Sequence, residues 1–242
     1  MKSATSSTEY APTITPSPGR HNRGEMPSAE QVRKGTLLTP GRRFKADVMR
    51  VDVDGFPVVV KSFAGKTLLS RISGWIQTTR ESAAYARLEG VPGVPRLIGR
   101  PDGITIVLEW IEGEQLGYAP DREQRGCDVF PRLVEIVRAI NARGVVHSDL
   151  RSRHNVLVTT SNEVFVVDFA AAIRLRPAGL LHRLLFRRLA NFDRSALLKW
   201  KEVLRAGPYT DEEESFLKRF RIFRGLWFIN RKPPKPEWRD ES

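Results

Sequence analysis

Alternating hydrophobic and polar positions over residues 44–63 predict a β-hairpin. Apolar side chains recur as far as Val53, the pair Asp54-Gly55 follows, and a run of three valines then ends at Lys61. An Asp-Gly pair between two hydrophobic runs favours the tight turn that joins the strands of a hairpin. The three valines indicate a buried second strand and place a lysine at its end.

Helical periodicity comes next along the chain. Residues 67–89 are predicted to form a helix that ends at Gly90. Two short strands are predicted over 96–99 and 104–110, on either side of a Pro-Asp-Gly turn. A helix over 130–142 then carries leucine, isoleucine and valine on one face.

The C-terminal part of the chain is predicted to be helical and basic. One helix covers 180–204, and another begins at Thr210, because Thr210-Asp211-Glu212-Glu213 is a capping box. Cations then alternate with large apolar side chains over residues 216–232. Such a segment either packs on its own domain or binds an anionic membrane surface, and the pattern leaves both interpretations open.

Residues 145–170 contain two short apolar strands around a polar loop. Asp149 and Asn155 lie in this loop, and Asp168 follows the second strand. A carboxylate can accept a proton from a hydroxyl group, and carboxylate and amide oxygens are ligands that Mg²⁺ prefers. The three side chains are therefore candidates for proton transfer and metal binding.

This order of residues resembles the protein kinase-like superfamily, whose catalytic loop reads H-R-D-L-x-x-x-N and whose metal motif reads D-F-G. The resemblance implies that Asp149 is the catalytic base and that Asn155 and Asp168 are Mg²⁺ ligands. In the motif the asparagine follows the aspartate by five positions, whereas 155 − 149 = 6 here. His154 is therefore the alternative ligand, although the strand directly after Asn155 favours the asparagine. Ala170 replaces the motif glycine, which limits the backbone freedom of that turn.

The same resemblance implies roles for five further positions. Lys61 takes the place of the lysine that holds the α- and β-phosphates of ATP, and Glu81 that of its helical partner, so an ion pair between them is expected. The backbone of Glu109 and Ile111 would bind adenine at the hinge between two lobes. Arg151 takes a position from which it would contact the γ-phosphate.

The loop that covers the phosphates in this superfamily is poor in glycine here. Only Gly41 remains where the superfamily has G-x-G-x-x-G. Because backbone N–H groups are then less free to surround a phosphate, the side chains of Arg42, Arg43 or Lys45 are predicted to contact it instead.

The charge of the chain favours anionic partners. Its 242 residues include 40 Lys and Arg against 28 Asp and Glu, a formal net charge of +12. This favours phosphate-rich ligands, an acidic membrane face or nucleic acid, of which nucleic acid is the least favoured because no aromatic stacking platform is evident. The single cysteine excludes an internal disulfide, and no apolar run is long enough to span a membrane. We expect a cytoplasmic protein that can also lie at the inner face of the membrane.

The expected fold is α+β and two-lobed, as in protein kinases. Residues 1–36 are predicted to be a disordered tail, 37–230 the kinase-like domain, and 231–242 a tail rich in proline and charge. Within the domain, a small sheet-rich lobe covers about 37–110 and a mostly helical lobe about 111–230.

The expected activity is transfer of the γ-phosphate of ATP, with Mg²⁺, to a hydroxyl group on a protein serine or threonine or on a lipopolysaccharide-type sugar. The short chain, the absent A-P-E motif and the basic flanks resemble the bacterial branch near the lipopolysaccharide (Kdo/heptose) kinases and the RIO-like serine/threonine kinases. Two other functions stay open, a nucleotide-binding scaffold without turnover and a basic adaptor for membranes or nucleic acid.

Overall fold

The computed structural model of the protein describes residues 26–42, 44–175 and 179–226, with the backbone alone described for 180–182 and 221–226. An antiparallel sheet and one long helix form the first lobe, and helices with short strand pairs form the second. The α+β, two-lobed fold expected from the sequence is therefore confirmed.

The first lobe is built on five antiparallel strands in the order β1-β2-β3-β5-β4. Its turn at Asp54-Gly55 has positive φ at both residues, 52° and 85°, as the predicted tight hairpin requires. The elements of this lobe are α1 (Ala29–Lys34), β1 (Thr36–Thr39), β2 (Asp47–Val53), β3 (Phe56–Ser62), α2 (Leu68–Arg87), β4 (Leu97–Asp102) and β5 (Thr105–Glu109).

The short helix α1 lies inside the segment for which the sequence predicted no structure. Ser28 caps it in a capping box with Gln31, and Val32 packs against the buried valines of β2 and β3. The described structure therefore begins before the boundary predicted at residue 36, because α1 packs on one face of the sheet. Residues 1–25 and 231–242 lie outside the described residues, so both tails stay predictions.

Helix α2 packs on the other face of the sheet through small residues. Gly74 lies against the ring of Phe63, where an added Cβ would come within 2.4 Å of a ring carbon. The hydroxyl group of Thr78 donates to the carbonyl oxygen of Gly103, between β4 and β5 (2.8 Å). A side chain larger than hydrogen at position 74 would therefore push the helix away from the sheet.

We expect Gly74→Ala to lower the free energy of unfolding by about 1–3 kcal/mol because it overpacks this contact. At an exposed helical position the same change would raise stability by roughly 1 kcal/mol, so the sign is diagnostic. Chemical denaturation measures it, with Arg71→Ala on the exposed face of α2 as the control. Stabilisation by Gly74→Ala would contradict the close packing.

The second lobe begins after β5 and is mostly helical. Its core is continuous with the inner end of α2, since Tyr85 and Leu88 belong to the same buried cluster as Val145 and Val166. The elements of this lobe are β6 (Glu114–Gln115), α3 (Gly126–Ala142), β7 (Val145–Val146), β8 (Val156–Val158), β9 (Val164–Val166), β10 (Ile173–Arg174), α4 (Gly179–Val203) and α5 (Asp211–Leu226).

Helix α5 packs on its own domain. Thr210 and Glu213 form the predicted capping box, with hydrogen bonds of 2.9 and 3.2 Å. Phe216 and Phe220 are buried against Leu198. These rings are therefore not available to a membrane, and of the two interpretations left open for 216–232 the described part supports packing. In the described ranges, every helix is too short or too polar to cross a bilayer.

Candidate active site

Three charged side chains from distant parts of the chain meet between the lobes. Lys61, near the end of β3, lies 2.6 Å from the carboxylate of Glu81 on α2, so the predicted ion pair is present. The same ammonium group lies 2.9 Å from the carboxylate of Asp168, which follows β9. Glu81 is buried, whereas 44% of the Asp168 side chain is exposed. The cluster thus connects the sheet, α2 and the second lobe.

Burial and charge together set the protonation of this cluster. Burial alone would lower the pKa of Lys61, but the carboxylates of Glu81 and Asp168 raise it above its usual value. Burial raises the pKa of Glu81 despite the neighbouring ammonium group. Burial also acts to raise the pKa of Asp168, yet Lys61 holds that pKa below its usual range. Lys61 and Asp168 are therefore both charged at neutral pH.

The loop between β7 and β8 brings Asp149 and Asn155 together. The amide group of Asn155 donates to the backbone carbonyl of Asp149 (2.9 Å) and to its carboxylate (3.2 Å). The backbone carbonyl of Asn155 accepts from the N–H of Val167, the residue before Asp168 (3.0 Å). Since the amide nitrogen is used within the loop, the amide oxygen of Asn155 is the atom left to face a ligand near Asp168.

His154, the alternative ligand, points away from this group. Its ring lies on the exposed side of the loop, with Nδ1 2.8 Å from the side-chain oxygen of Gln115 and Nε2 3.3 Å from the hydroxyl group of Tyr118. Asn155 is buried where the chain enters β8, whereas His154, one residue earlier, is exposed. The geometry therefore favours Asn155 over His154.

Asp193 on α4 holds the loop between β7 and β8, and no sequence motif assigned it a role. Its buried carboxylate accepts the backbone N–H groups of His147 (2.8 Å) and Ser148 (3.0 Å) and the side-chain amide of Asn141 (3.1 Å). Burial raises its pKa despite these donors. Ser148 has φ of 67°, so this carboxylate stabilises a strained residue next to Asp149.

Asp193→Asn should lower kcat for the phosphate transfer expected from the sequence by about tenfold or more, with a smaller change in KM. An amide group would face the two backbone N–H donors with only one acceptor oxygen. Steady-state kinetics and thermal unfolding would be measured together. Asp211→Asn, an exposed first-turn residue of α5, is the control. An unchanged kcat would show that Asp193 does not position the loop.

Aromatic rings support the turn that carries Asp168. The backbone N–H of Asp168 donates to the hydroxyl oxygen of Tyr85 (3.1 Å), and the ring of Phe169 lies 5.0 Å from that of Tyr85 and 4.8 Å from that of His147. The left-handed residue here is Asp168 (φ 66°), and Phe169–Ala171 forms a short helical turn. The turn therefore does not require glycine at position 170, and Ala170 does not limit its backbone as the sequence predicted.

The other predicted site residues lie at different places. Arg151 directs its guanidinium group to the backbone carbonyl of Ser195 on α4 (3.4 Å). Arg42 and Lys45 are exposed in the β1–β2 turn, and Arg43 lies outside the described residues. Their predicted phosphate contacts stay predictions.

Of the two hinge residues, Glu109 ends β5 and Ile111 follows it. The N–H of Glu109 donates to the carbonyl of Arg96 (2.9 Å), and its carboxylate accepts from the N–H of Arg96 (2.9 Å). The N–H of Glu109 is therefore engaged within the protein and is not free for a base. Ile111 is buried just beyond it.

A scan of protein families matches residues 67–191 to the RIO domain, from the cap of α2 to the middle of α4. The match contains Glu81, Asp149, Asn155 and Asp168 but not Lys61. A separate comparison finds 29% identity over 158 residues to CBL-interacting protein kinase 19 of Oryza sativa subsp. japonica, covering 61% of this chain and 30% of that protein. Putative sperm motility kinase W of Mus musculus is 32% identical over 85 residues, covering 33% of this chain and 17% of that protein.

The chain thus spans less than a third of the length of either relative. Neither relative is a lipopolysaccharide kinase by name, so the bacterial branch stays a prediction. The RIO domain match covers half of the chain, including the whole loop between β7 and β8. Together with the two-lobed fold, it shows that this chain belongs to the RIO domain family of the protein kinase-like superfamily.

Proposed function

We propose that this protein is an ATP-dependent phosphotransferase, which moves the γ-phosphate of ATP to a hydroxyl acceptor in the cytoplasm. The observation that carries the proposal is the placement of Lys61 between Glu81 and Asp168 (2.6 and 2.9 Å), next to the loop of Asp149. A buried ammonium group shared by two carboxylates is held in place before any ligand binds.

The nucleotide would lie between the lobes. Lys61 would contact the α- and β-phosphates with Glu81 fixing its position, as in the family. The backbone carbonyl of Glu109 and the N–H of Ile111 would bind adenine at the hinge. Arg151 would have to leave the carbonyl of Ser195 to contact the γ-phosphate.

The residues present fit Mg²⁺. Asp168 offers a half-exposed carboxylate whose low pKa keeps it ionised, and Asn155 offers an amide oxygen whose partner nitrogen is already bonded to Asp149. Both are hard oxygen ligands. When bound, Mg²⁺ would neutralise negative charge on the phosphates of ATP.

Asp149 would accept the proton of the acceptor hydroxyl group. The oxygen so activated forms a bond to the γ-phosphorus, the bond from that phosphorus to the bridging β–γ oxygen breaks, and ADP leaves with the electron pair. Asn155 holds the carboxylate of Asp149 for this step (3.2 Å). Positioning of this kind supplies most of the catalysis expected here.

A nucleotide-binding scaffold without turnover is the second candidate, and one observation favours it. In the β1–β2 turn, the N–H of Gly41 donates to Asp47 (2.7 Å) and its carbonyl accepts from Lys66 (2.8 Å). These backbone groups are therefore engaged within the protein and are not directed at a phosphate. The first proposal allows two kinds of acceptor, a protein side chain and a glycolipid, which a labelling experiment distinguishes.

The test is transfer of labelled γ-phosphate from ATP with Mg²⁺ in host-cell extract, followed by separation of protein from lipid. Wild type should label one fraction, and Asp149→Asn should label it about a hundredfold less, because it lacks the base. His154→Ala, in the same loop but directed outward, is the control and should retain labelling. Label in lipid identifies a glycolipid acceptor, and label in protein identifies a protein acceptor. Equal labelling by wild type and Asp149→Asn would contradict the phosphotransferase and favour the scaffold.

A further inference from the structure

The first half of helix α2 has its large apolar side chains on the outside. The residues directed at the sheet are small or polar, namely Ser70, Gly74 and Thr78. The exposed residues, which we call the apolar α2 face, are Leu68 (72% exposed), Leu69 (71%), Ile72 (54%), Trp75 (56%) and Ile76 (48%). This order is the reverse of an ordinary surface helix, whose apolar side chains face the core.

The apolar α2 face is continuous. Positions i, i+1, i+4, i+7 and i+8 of a helix share an arc of about 120° over little more than two turns. Five large side chains at such exposure present on the order of 500 Å² of apolar surface, within the range of about 300–600 Å² for the largest patch of a monomer, which is often functional. The fold gains nothing from this exposure, so a binding role explains it better.

The charged residues that α2 itself places beside its apolar face are positive. Arg71 and Arg80 lie at its two edges, and the only acidic residue of α2, Glu81, is buried against Lys61. The side-chain amide of Gln77 donates to the carbonyl of Phe44 (3.1 Å), which places the exposed Phe44 and its neighbour Lys45 beside the helix. The partner should therefore combine an apolar interior with negative charge at its surface.

We propose that the apolar α2 face docks this protein on the surface of an anionic lipid bilayer. A protruding ridge of leucine, isoleucine and tryptophan with arginines at its edges is the pattern of helices that lie in the membrane interface. The aliphatic side chains enter the headgroup region, and the arginines remain at the level of the phosphates. This surface is separate from α5, whose Phe216 and Phe220 rings are buried in the domain.

A second copy of this chain is a poorer partner for the same face. Two apolar α2 faces packed together would bring arginines near arginines, and α2 has no exposed carboxylate to pair with them. Like charges at an interface oppose association. A bilayer with anionic headgroups supplies the missing negative charge and needs no matching shape.

The test is co-sedimentation of the full chain with vesicles, using mixed phosphatidylglycerol and phosphatidylcholine beside pure phosphatidylcholine. We expect binding to the mixed vesicles that weakens as salt is raised. The double variant Leu68→Ser/Leu69→Ser should bind about tenfold or more weakly, because two inserted side chains are lost. No binding by wild type, or equal binding to both kinds of vesicle, would overturn the proposal.

A matched control distinguishes binding through this face from nonspecific hydrophobic binding to vesicles. Leu184 and Leu185 on α4 are also exposed (51% and 45%), so Leu184→Ser/Leu185→Ser makes the same chemical change elsewhere. It should retain vesicle binding. An equal loss in both double variants would overturn the assignment to α2. Thermal unfolding of each variant verifies that the fold is kept.

Fluorescence tests the contact without a change to the leucines. Lipids that carry a quencher in the acyl chain should reduce the emission of wild type, and most of this quenching should be absent in Trp75→Phe. Quenching that persists in full would mean that Trp75 does not enter the bilayer.

Sedimentation velocity is the complementary measurement. If wild type forms a dimer that dissociates in Leu68→Ser/Leu69→Ser and does not bind vesicles, the partner of this face is a second copy of the chain and not a bilayer. The proposal needs no ATP, so its failure would leave the phosphotransferase proposal standing.

Discussion

Lys61→Met should lower kcat/KM for phosphate transfer by about a thousandfold, because it removes a fixed positive charge from the position of the transferred phosphates. The Lys61 side chain is only 14% exposed, and its ammonium group contacts two carboxylates that fix its position. Steady-state kinetics with ATP and the acceptor fraction identified by labelling would measure the change.

The matched control is Lys201→Met in the second lobe. Lys201 is 12% exposed and lies 2.7 Å from Glu213, so its burial and its ion pair closely resemble those of Lys61. Its replacement should affect stability but leave kcat/KM within a few-fold of wild type. If the two variants lose activity equally, the effect of Lys61→Met comes from lost stability and not from a missing catalytic charge.

The stability of Lys61→Met should depend on pH in a specific direction. Without the ammonium group, Glu81 is buried and unpaired, which costs about 3 kcal/mol at neutral pH. Burial raises the pKa of Glu81 in the folded protein above its unfolded value. The cost is therefore absent below about pH 4, where Glu81 is protonated in both states, and grows as the pH rises. The double variant Lys61→Met/Glu81→Gln should regain stability but not activity.

Local patterns in the sequence predicted most of the fold. The alternation of residues 47–62 with an Asp-Gly turn specifies a hairpin in nearly any context, and Thr210 with Glu213 specifies a helix start. The helix α1 could not be predicted in this way. It has only six residues and no apolar periodicity, and its position depends on contact with the buried valines of β2 and β3.

The residues that belong to motifs lie together in the structure, but their roles stay predictions. The apolar strand directly after Asn155 favoured Asn155 over His154 as the metal ligand, because a residue at the start of a buried strand turns inward. Asp193 belongs to no local motif. It lies 46 residues from His147 in the chain and reaches it only because α4 packs on α3 and β7. An acidic residue on the apolar side of a predicted helix was the one available signal.

Tyr85 shows a different limit of sequence reasoning. It lies on the inward face of α2, one turn after Glu81, and the helical spacing alone accounts for its burial. The pattern does not show that its hydroxyl oxygen accepts the N–H of Asp168. That contact exists because α2 packs against the short helical turn after β9, and it makes the inner end of α2 a support for both Lys61 and Asp168.

Asp168→Asn should abolish most activity, by about a thousandfold, and the residual activity should require far more Mg²⁺. The substitution retains the shape of the side chain but replaces an ionised ligand by a neutral amide, and a bound metal ion contributes several kcal/mol to such reactions. Asp47→Asn is the control, since Asp47 also forms a 2.7 Å ion pair with a lysine but lies at the start of β2.

A pH series separates the two roles of Asp168. Lys61 holds the pKa of this carboxyl group below its unfolded value, so its contribution to stability is present at neutral pH and is lost as the pH falls through the folded pKa. The difference in unfolding free energy between wild type and Asp168→Asn should therefore shrink below about pH 4. The loss of activity, in contrast, should persist at every pH at which wild type is folded. If Asp168→Asn keeps both the wild-type rate and the wild-type Mg²⁺ requirement, Asp168 is a partner of Lys61 alone, and the metal site must be sought elsewhere.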